Sequence, residues 1–356
     1  MRKRKVDKRR WYFALFNMLL LVLAAACGGA LWWMTGVLNS LDAARQWQGS
    51  SETPFAQIAC FLPEDGTKTT DEIDQFRRTL EQKLTEASLE APKNGSLYCD
   101  AWSAEATLNV SGTHGSADVK TVGVDGNFFL FHPLQLRSGS YLSQQDFMQD
   151  RVVLDEITAW TLFGSSDVAG MSVTVEGKPC YVAGVIRRED DFASKTAYGT
   201  GAGMFLSYDT FAELKEKGIT CYEIVVPNLV SGFGLGLVQE NFSVGTGDIV
   251  ENSARYSLKN LLCVIGDFGR RSMRNNGVIY PYWENAVRMT EDWAALLLCA
   301  LFALLLCPAV TLTVEIIRAL VKTGKYLERK VPDTAEAMIE KRRKERWEAK
   351  KRSGTQ

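Results

Sequence analysis

The stretch that decides the fold of this chain runs from Val122 to Arg187. It opens with Val122-Gly-Val-Asp-Gly-Asn-Phe-Phe-Leu-Phe-His-Pro-Leu134 and closes with Ser172-Val-Thr-Val-Glu-Gly-Lys-Pro-Cys-Tyr-Val-Ala-Gly-Val-Ile186. Leu136-Arg-Ser-Gly139 and Val152-Val-Leu-Asp-Glu156 lie between them. Each apolar piece is short and is bounded by glycine, proline or aspartate, the residues that favour turns. The stretch therefore predicts a compact arrangement of short strands that ends in a hairpin.

Helices are predicted between these strands and before them. Thr69 and Glu72 have the spacing of a capping box, which begins a helix, and apolar residues follow at helical intervals to about residue 87. Asp155 is placed as the N-cap of a second helix, and Gly164 is placed to end it. Mixed strands and helices of this kind indicate an α+β domain.

Two apolar runs lie on either side of this domain. No charged residue occurs from Trp11 to Leu38, and none occurs from Ala294 to Val314. A membrane-spanning helix needs about 20 apolar residues, so we predict transmembrane helices at residues 11–38 and 293–315. A cleaved signal peptide has a shorter apolar core. A lipid attached at Cys27 is the other alternative, but the apolar run continues for ten residues beyond that cysteine.

Charge predicts the orientation in the membrane. The net charge of the 356 residues is only -1, yet residues 1–10 carry about +6 and residues 316–356 about +7. Since basic segments next to spans stay in the cytoplasm, we expect a cytoplasmic basic tail at 1–10, a cytoplasmic basic helical tail at 316–356 and an extracytoplasmic domain at 39–290. These basic residues favour contact with anionic membrane lipid rather than with nucleic acid.

Small residues in the first span form a candidate helix-packing patch. They are Ala24, Ala25, Gly28 and Gly29, and residues four apart share one face of a helix. Small side chains let helices approach closely in lipid. The patch predicts a contact with the second span or with another protein, while the alternative is that alanine and glycine are simply tolerated there.

A helix leaving the domain is a candidate coupling element. From Glu284 the helical pattern continues without a breaker through Arg288 and Trp293 into the second span, where Pro308 removes one backbone hydrogen bond. A helix that is continuous across the membrane surface would transmit movement between the two sides. We therefore predict that Glu284, Arg288, Trp293 and Pro308 belong to a coupling helix.

Residues suited to chemistry are scarce. The two histidines, His114 and His132, have no metal-ligand spacing, and no cofactor motif or catalytic constellation is present in the sequence. The chain is therefore predicted not to be an enzyme. Cys60 and Cys99 lie on strands that flank one helix, which leaves open a disulfide between them, the alternative being buried free thiols.

A glycine-rich polar loop is predicted at residues 190–203. It contains Tyr198, Gly199, Gly201 and Gly203. Such a loop is a candidate contact surface for a partner, and an ordinary surface connection is the alternative.

Several motifs follow the first span in a fixed order: Val122-Gly-Val-Asp-Gly-Asn-Phe-Phe129, Leu136-Arg-Ser-Gly139, Val152-Val-Leu-Asp-Glu156, Leu162-Phe-Gly164, Gly170-Met-Ser-Val173 and Val182-Ala-Gly-Val185. This order resembles the periplasmic core domain of the MacB-type ABC transporter permeases over about residues 40–290. The resemblance implies an external domain of two lobes. One lobe would combine residues 42–130 and 219–285, and the other would be an insertion at 131–218.

The same resemblance implies partners and a mode of action. Permeases of this type work as dimers with a cytoplasmic ABC ATPase and relay its closure to their external domains. This sequence departs from the family because one span, not three, follows the external domain, and it has no Walker motif of its own. The expected partners are therefore an ABC ATPase subunit and either a second permease or a second copy of this chain.

Two hypotheses for function result. The first is a non-enzymatic membrane subunit of an ABC-type transporter or mechanotransmission complex. The second is a membrane-anchored binding or sensor protein that acts alone through its external domain.

Overall fold

The computed structural model describes residues 8–36, 41–89, 96–199, 201–274 and 276–353. The helices are α1 (Lys8–Thr35), α2 (Ala43–Gln48), α3 (Thr70–Glu86), α4 (Phe128–Phe131), α5 (Glu156–Phe163), α6 (Phe192–Tyr198), α7 (Tyr208–Lys215), α8 (Phe233–Asn241), α9 (Leu258–Val264) and α10 (Tyr282–Ser353). The strands are β1 (Phe55–Phe61), β2 (Cys99–Ser111), β3 (Ser116–Gly126), β4 (Gln135–Gly139), β5 (Arg151–Asp155), β6 (Ser172–Val175), β7 (Lys178–Arg187), β8 (Gly203–Ser207), β9 (Cys221–Pro227) and β10 (Asp248–Glu251).

The strands form one mixed sheet in the order β10-β1-β9-β2-β3-β8-β5-β7-β4, with β6 paired to β2 and β7. Neighbours are antiparallel except β3 with β8 and β5 with β7, which are parallel. Strands from residues 42–130 and 219–285 fill one half of the sheet, and strands from 131–218 fill most of the other half. The predicted α+β class is confirmed. The division of the domain into two lobes stays a prediction.

Helix α3 covers one face of this sheet. Its predicted start is confirmed, because Glu72 N–H donates to Thr69 Oγ1 at 3.3 Å and Thr69 N–H donates to the Glu72 carboxylate at 3.0 Å. Four apolar side chains of α3 are at most 4% exposed and join the core on that face: Ile73, Phe76, Leu80 and Leu84.

The glycine motifs of the central stretch have a steric cause. Gly139 on β4 lies opposite Gly184 on β7, where the two backbones approach closely. A Cβ atom on Gly184 would be 2.5 Å from the Ser140 carbonyl oxygen. Gly139 also has a φ of +72°, which other residues adopt only with strain. The spacing of these glycines is therefore required by the pairing of β4 with β7.

The predicted signals at the ends of α5 are also confirmed. The Asp155 side chain accepts a hydrogen bond from Thr158 N–H at 2.6 Å, so it is the N-cap. Gly164 ends the helix in the left-handed conformation with a φ of +71°.

The Cys60–Cys99 disulfide that the sequence left open is not formed, and both thiols are free and buried. Strands β1 and β2 both pair with β9 and lie on opposite sides of it. Strands two positions apart are separated by roughly 9–10 Å, beyond the Cα separation of about 7 Å that a disulfide spans. The two cysteines also belong to core clusters on opposite faces of the sheet.

The chain forms two compact units, Leu31–Leu296 and Met1–Ala30 with Leu297–Gln356. Trp11–Thr35 of α1 and Tyr282–Leu327 of α10 are long and apolar enough to cross a membrane. Most of their apolar residues are exposed, as expected of helices that contact lipid rather than a protein core.

Within the unit that contains Ala24, the small-residue patch of α1 is divided between two faces. Ala24 is 4% exposed, and the nearby Cys27 Sγ donates to the Leu297 carbonyl oxygen on α10 at 3.2 Å. Gly28 is half-buried, whereas Ala25 and Gly29 are exposed. Contact of these exposed residues with another protein stays a prediction.

Candidate functional site

The first turns of α10 carry charged residues that are buried in the domain built on the sheet. Glu284, Arg288 and Glu291 are 2%, 4% and 3% exposed. Their spacing places them on one face of the helix. Because burying an isolated charge is very unfavourable, this face requires oppositely charged partners from elsewhere in the domain.

Partners for the two glutamates come from the segment before α10, and Arg288 of α10 itself also pairs with Glu284. Arg255 Nη2 contacts Glu284 Oε1 at 2.6 Å, and Arg288 Nε contacts the same oxygen at 2.5 Å. Arg271 Nη2 contacts Glu291 Oε2 at 2.8 Å. These five residues, Arg255, Arg271, Glu284, Arg288 and Glu291, are called the anchor network below.

Arg255 keeps its charge inside the anchor network. Burial acts to lower the pKa of Arg255, but the Glu284 and Glu291 carboxylates oppose this and raise the pKa above its ordinary value. Arg255 therefore stays protonated. Removing one member of a buried ionic network leaves its partners uncompensated, which is strongly destabilising. The network consequently fixes α10 in one position along residues 255–271.

Further contacts attach α10 at both ends of this network. Gly269 N–H donates to Asp292 Oδ2 at 2.8 Å, and the Phe268 ring meets the Trp293 ring edge-on at 6.0 Å. Near the helix start, the Trp283 ring lies 4.4 Å from the ring of His132.

His132 is part of the domain core. Its Nε2 is 2.5 Å from Glu223 Oε2, and both side chains are at most 4% exposed. The Phe128 ring lies 4.6 Å from the imidazole. His132 is therefore used in a buried hydrogen bond that supports Trp283.

The prediction of a loop throughout residues 190–203 is wrong, because α6 occupies Phe192–Tyr198. The Asp191 side chain accepts hydrogen bonds from Ala193 N–H and Ser194 N–H, both at 3.0 Å, and so begins the helix. Ala193 and Ala197 then pack against Ala286 of α10. The aspartate cap and the alanines were the sequence signals for this helix.

Stacking of Tyr198 on Tyr282 connects the predicted partner loop with the predicted coupling helix. The two rings are stacked with centroids 3.8 Å apart and planes 24° apart. The Arg188 guanidinium lies over the Tyr198 ring, 4.7 Å from its centroid. No sequence pattern indicates this stack, since the two tyrosines are far apart along the chain.

The loop glycines have different surroundings. A Cβ atom on Gly203 would be 2.8 Å from Asp155 Oδ2, so this glycine permits close approach. Gly199 is exposed with a φ of +67°, and Gly201 has only the Lys120 side chain nearby. A partner contact through Gly199 and Gly201 stays a prediction.

A cavity of about 380 Å³ adjoins the tyrosine stack. Its lining includes Glu105, Lys120, Tyr198, Tyr282 and Asn285. Burial raises the pKa of Glu105 from 4.5 to about 7, although the Lys120 ammonium acts to lower it. The cavity therefore contains a carboxyl group that titrates near neutral pH.

The structure places Glu284 and Arg288 in one network with residues that the sequence did not indicate, and Trp293 packs against Phe268. The additional network residues are Arg255, Arg271 and Glu291. The spacing of Glu284, Arg288 and Glu291 on one helix face was the signal that could have indicated a buried ionic network. Pro308 lies farther along the same uninterrupted helix.

Comparisons with known proteins agree with the motif order. The sequence profile of the family described as MacB-like periplasmic core domain matches residues 36–228. No curated protein matches the chain.

Three solved structures show similarity. The periplasmic region of MacB from Actinobacillus actinomycetemcomitans is 14% identical, with 56% of this chain and 89% of that chain covered and a TM-score of 0.37. The extracellular domain of the noncanonic ABC-type transporter YknZ from Gram-positive bacteria is 13% identical, with coverages of 55% and 99% and a TM-score of 0.38. A domain of a putative permease protein from Porphyromonas gingivalis is 11% identical, with coverages of 67% and 99% and a TM-score of 0.33.

Proposed function

This chain belongs to the MacB-like periplasmic core domain family, and we propose that it is a non-enzymatic membrane subunit of an ABC-type transporter complex. In this proposal the chain relays the motion of a cytoplasmic ATPase to its extracytoplasmic domain. Helix α10 is the observation that carries the proposal. Its first turns are buried in the domain by the anchor network, and the same helix continues through the charge-free run 294–314 to Ser353.

The chemistry of the anchor network supports a relay. An α-helix rises about 1.5 Å per residue, so a shift of even one residue would separate Glu284 from Arg255 and Glu291 from Arg271. Separating a buried pair costs about 3–5 kcal/mol. A displacement of α10 would therefore move residues 255–271 with it rather than slide past them.

The proposed topology is a two-pass arrangement in the cell membrane. The spans are residues 11–38 and 293–315, the external domain is 39–290, and the basic segments 1–10 and 316–356 lie in the cytoplasm. Segregated charge supports this orientation through the positive-inside rule. Both basic ends would then face the ATPase, and anionic lipid would contact them at the membrane surface.

Purification from native membranes tests this function. The tagged full chain, extracted in a mild detergent, should be recovered with an ABC ATPase subunit and with a companion permease or a second copy of itself. A chain that is recovered without an ATPase, under conditions that preserve a known ABC complex from the same membranes, would sink the proposal.

The second candidate is a membrane-anchored binding or sensor protein that acts alone. The cavity beside Tyr198 and Tyr282 favours it, because a pocket of this size with a few polar groups suits a small ligand. The purification experiment separates the two candidates, since only the first requires a bound ATPase.

A further inference from the structure

Helix α9 and the turn after it present apolar side chains on two faces. Leu261 and Val264 point into the domain and are 3% and 8% exposed. On the solvent-facing side four large apolar residues are between 40% and 55% exposed, and they are called the outer apolar face: Leu258, Leu262, Ile265 and Phe268. An apolar face of this kind usually marks an interaction site.

Two contacts place the C-terminal end of this face beside the start of the charge-free run of α10. Phe268 meets the Trp293 ring edge-on at 6.0 Å, and Gly269 N–H donates to Asp292 at 2.8 Å. Trp293 is the residue directly before the charge-free run 294–314. Tryptophan in this position is typical of the boundary between lipid and water. The Phe268 end of the outer apolar face therefore lies beside the residues of α10 that are expected at the boundary between lipid and water.

The charges around the face suit a membrane surface. Lys259, Arg270 and Arg274 are exposed and lie close to these residues in the sequence, and Asp267 is the exposed acidic residue of the same segment. A short helical segment with an exposed apolar face and basic residues at its edges has the composition of elements that lie in the membrane interface. Basic side chains at that depth are attracted to anionic lipid headgroups.

We propose that the outer apolar face inserts into the headgroup region of the same bilayer that holds α10. The partner is phospholipid, and the inserted residues are Leu258, Leu262, Ile265 and Phe268. The inference rests on the membrane anchoring in the proposed function and is independent of the ATPase. Since Arg255 and Arg271 belong to the anchor network, this docking would hold residues 255–271 on the membrane surface around the helix that passes through them.

Fluorescence quenching in vesicles tests the proposal. A fluorescent amino acid replaces Leu262 in the full chain, which is reconstituted in vesicles of phosphatidylcholine with phosphatidylglycerol. Doxyl-labelled lipid quenches probes in the bilayer, and iodide quenches probes in water. Two matched positions serve as controls: Phe302, 49% exposed within the apolar run, and Phe147, 96% exposed in the connection between β4 and β5.

The proposal expects the probe at position 262 to behave like the probe at 302, losing most of its fluorescence to doxyl lipid and little to iodide. Quenching by iodide to the level seen at position 147 would overturn it. Protection from both quenchers would also overturn it, because protein would then cover the face. A probe at position 302 that doxyl lipid does not quench would refute the membrane anchoring itself, which distinguishes that failure from the others.

Discussion

Arg255 and Glu284 form an ion pair of 2.6 Å in which both side chains are only 2% exposed. The pair joins the segment after β10 to the first turn of α10, and Arg288 shares the same carboxylate oxygen of Glu284. Charge, and not apolar packing alone, therefore determines where the long helix begins relative to the sheet. This attachment is the physical basis of the proposed relay.

Replacing Arg255 should strongly destabilise the domain built on the sheet. Arg255→Met removes the guanidinium and leaves the Glu284 and Glu291 carboxylates with fewer positive partners in a buried site. We expect a loss of about 3–5 kcal/mol in the free energy of unfolding, measured by urea denaturation of the full chain in detergent.

The matched control is an exposed pair on the same domain. Lys178 Nζ lies 2.7 Å from Glu213 Oε2, but these side chains are 35% and 67% exposed. Glu213→Gln should change the free energy of unfolding by less than about 1 kcal/mol, because water screens surface pairs. Equal losses from the two substitutions would show that the anchor network is not a buried attachment.

Glu105 should make stability depend on pH. Its folded pKa of about 7 is above the ordinary 4.5, so the protonated form is favoured by the folded state. Stability from this group is fully present below pH 4.5 and is lost as the pH rises to about 7. Glu105→Gln should therefore raise the thermal midpoint at pH 8 and leave it nearly unchanged at pH 4.

Glu72→Gln provides a comparison in which the pH dependence of stability has the opposite sign. Hydrogen bonds from Lys68 and from the Thr69 backbone lower the pKa of Glu72, so its stabilising contribution is present above pH 4.5 and is lost on acidification. Glutamine preserves the capping box. This variant should lower the thermal midpoint at pH 8 only. The same pH profile for both variants would contradict the burial of Glu105.

The stack of Tyr198 on Tyr282 should be measurable as an energetic coupling between α6 and α10. A double-mutant cycle with Tyr198→Ala and Tyr282→Ala should give a coupling of about 0.5–1.5 kcal/mol in unfolding free energy. Tyr198→Phe retains the ring, so its cycle with Tyr282→Ala should keep most of that coupling. A coupling energy of zero would mean that contact between the two rings does not stabilise the fold.

Close strand packing predicts that Gly184→Ala destabilises the chain. Its Cβ atom would lie 2.5 Å from the Ser140 carbonyl oxygen, and backbone must move to relieve the clash. We expect a loss of about 1–3 kcal/mol. Gly236 of α8 has nothing within 4 Å of its Cβ position, so Gly236→Ala should instead stabilise by up to about 1 kcal/mol. Unfolding by urea compares the two variants directly.

The parts of the fold that were predictable rest on local interactions. The capping box at Thr69, the cap at Asp155 and the left-handed Gly164 each depend on residues a few positions apart, and the structure confirms them. The family motifs were recognisable for the same reason, because Gly139 and Gly184 must be glycine wherever β4 and β7 pair closely.

The parts that were not predictable depend on residues distant in the chain. Arg255 and Glu284 appear in the sequence as ordinary charged residues, and only their burial reveals an attachment. The Cys60–Cys99 disulfide is not formed because β9, which comes much later in the chain, lies between β1 and β2. The stack of Tyr198 on Tyr282 likewise requires α6 to lie against α10.

Hydrogen exchange of residues 255–271 in the purified complex tests the central claim most directly. The full chain, purified with the ATPase that the proposed function requires, is compared with and without a non-hydrolysable ATP analogue. The same comparison is made for a variant that carries a flexible Gly/Ser insertion between Trp293 and Ala294. The insertion leaves the anchor network intact but interrupts α10. We predict that nucleotide changes the exchange of residues 255–271 in the native chain and that the insertion abolishes this change. An unaltered response in the insertion variant, or none in the native chain, would contradict the relay through α10.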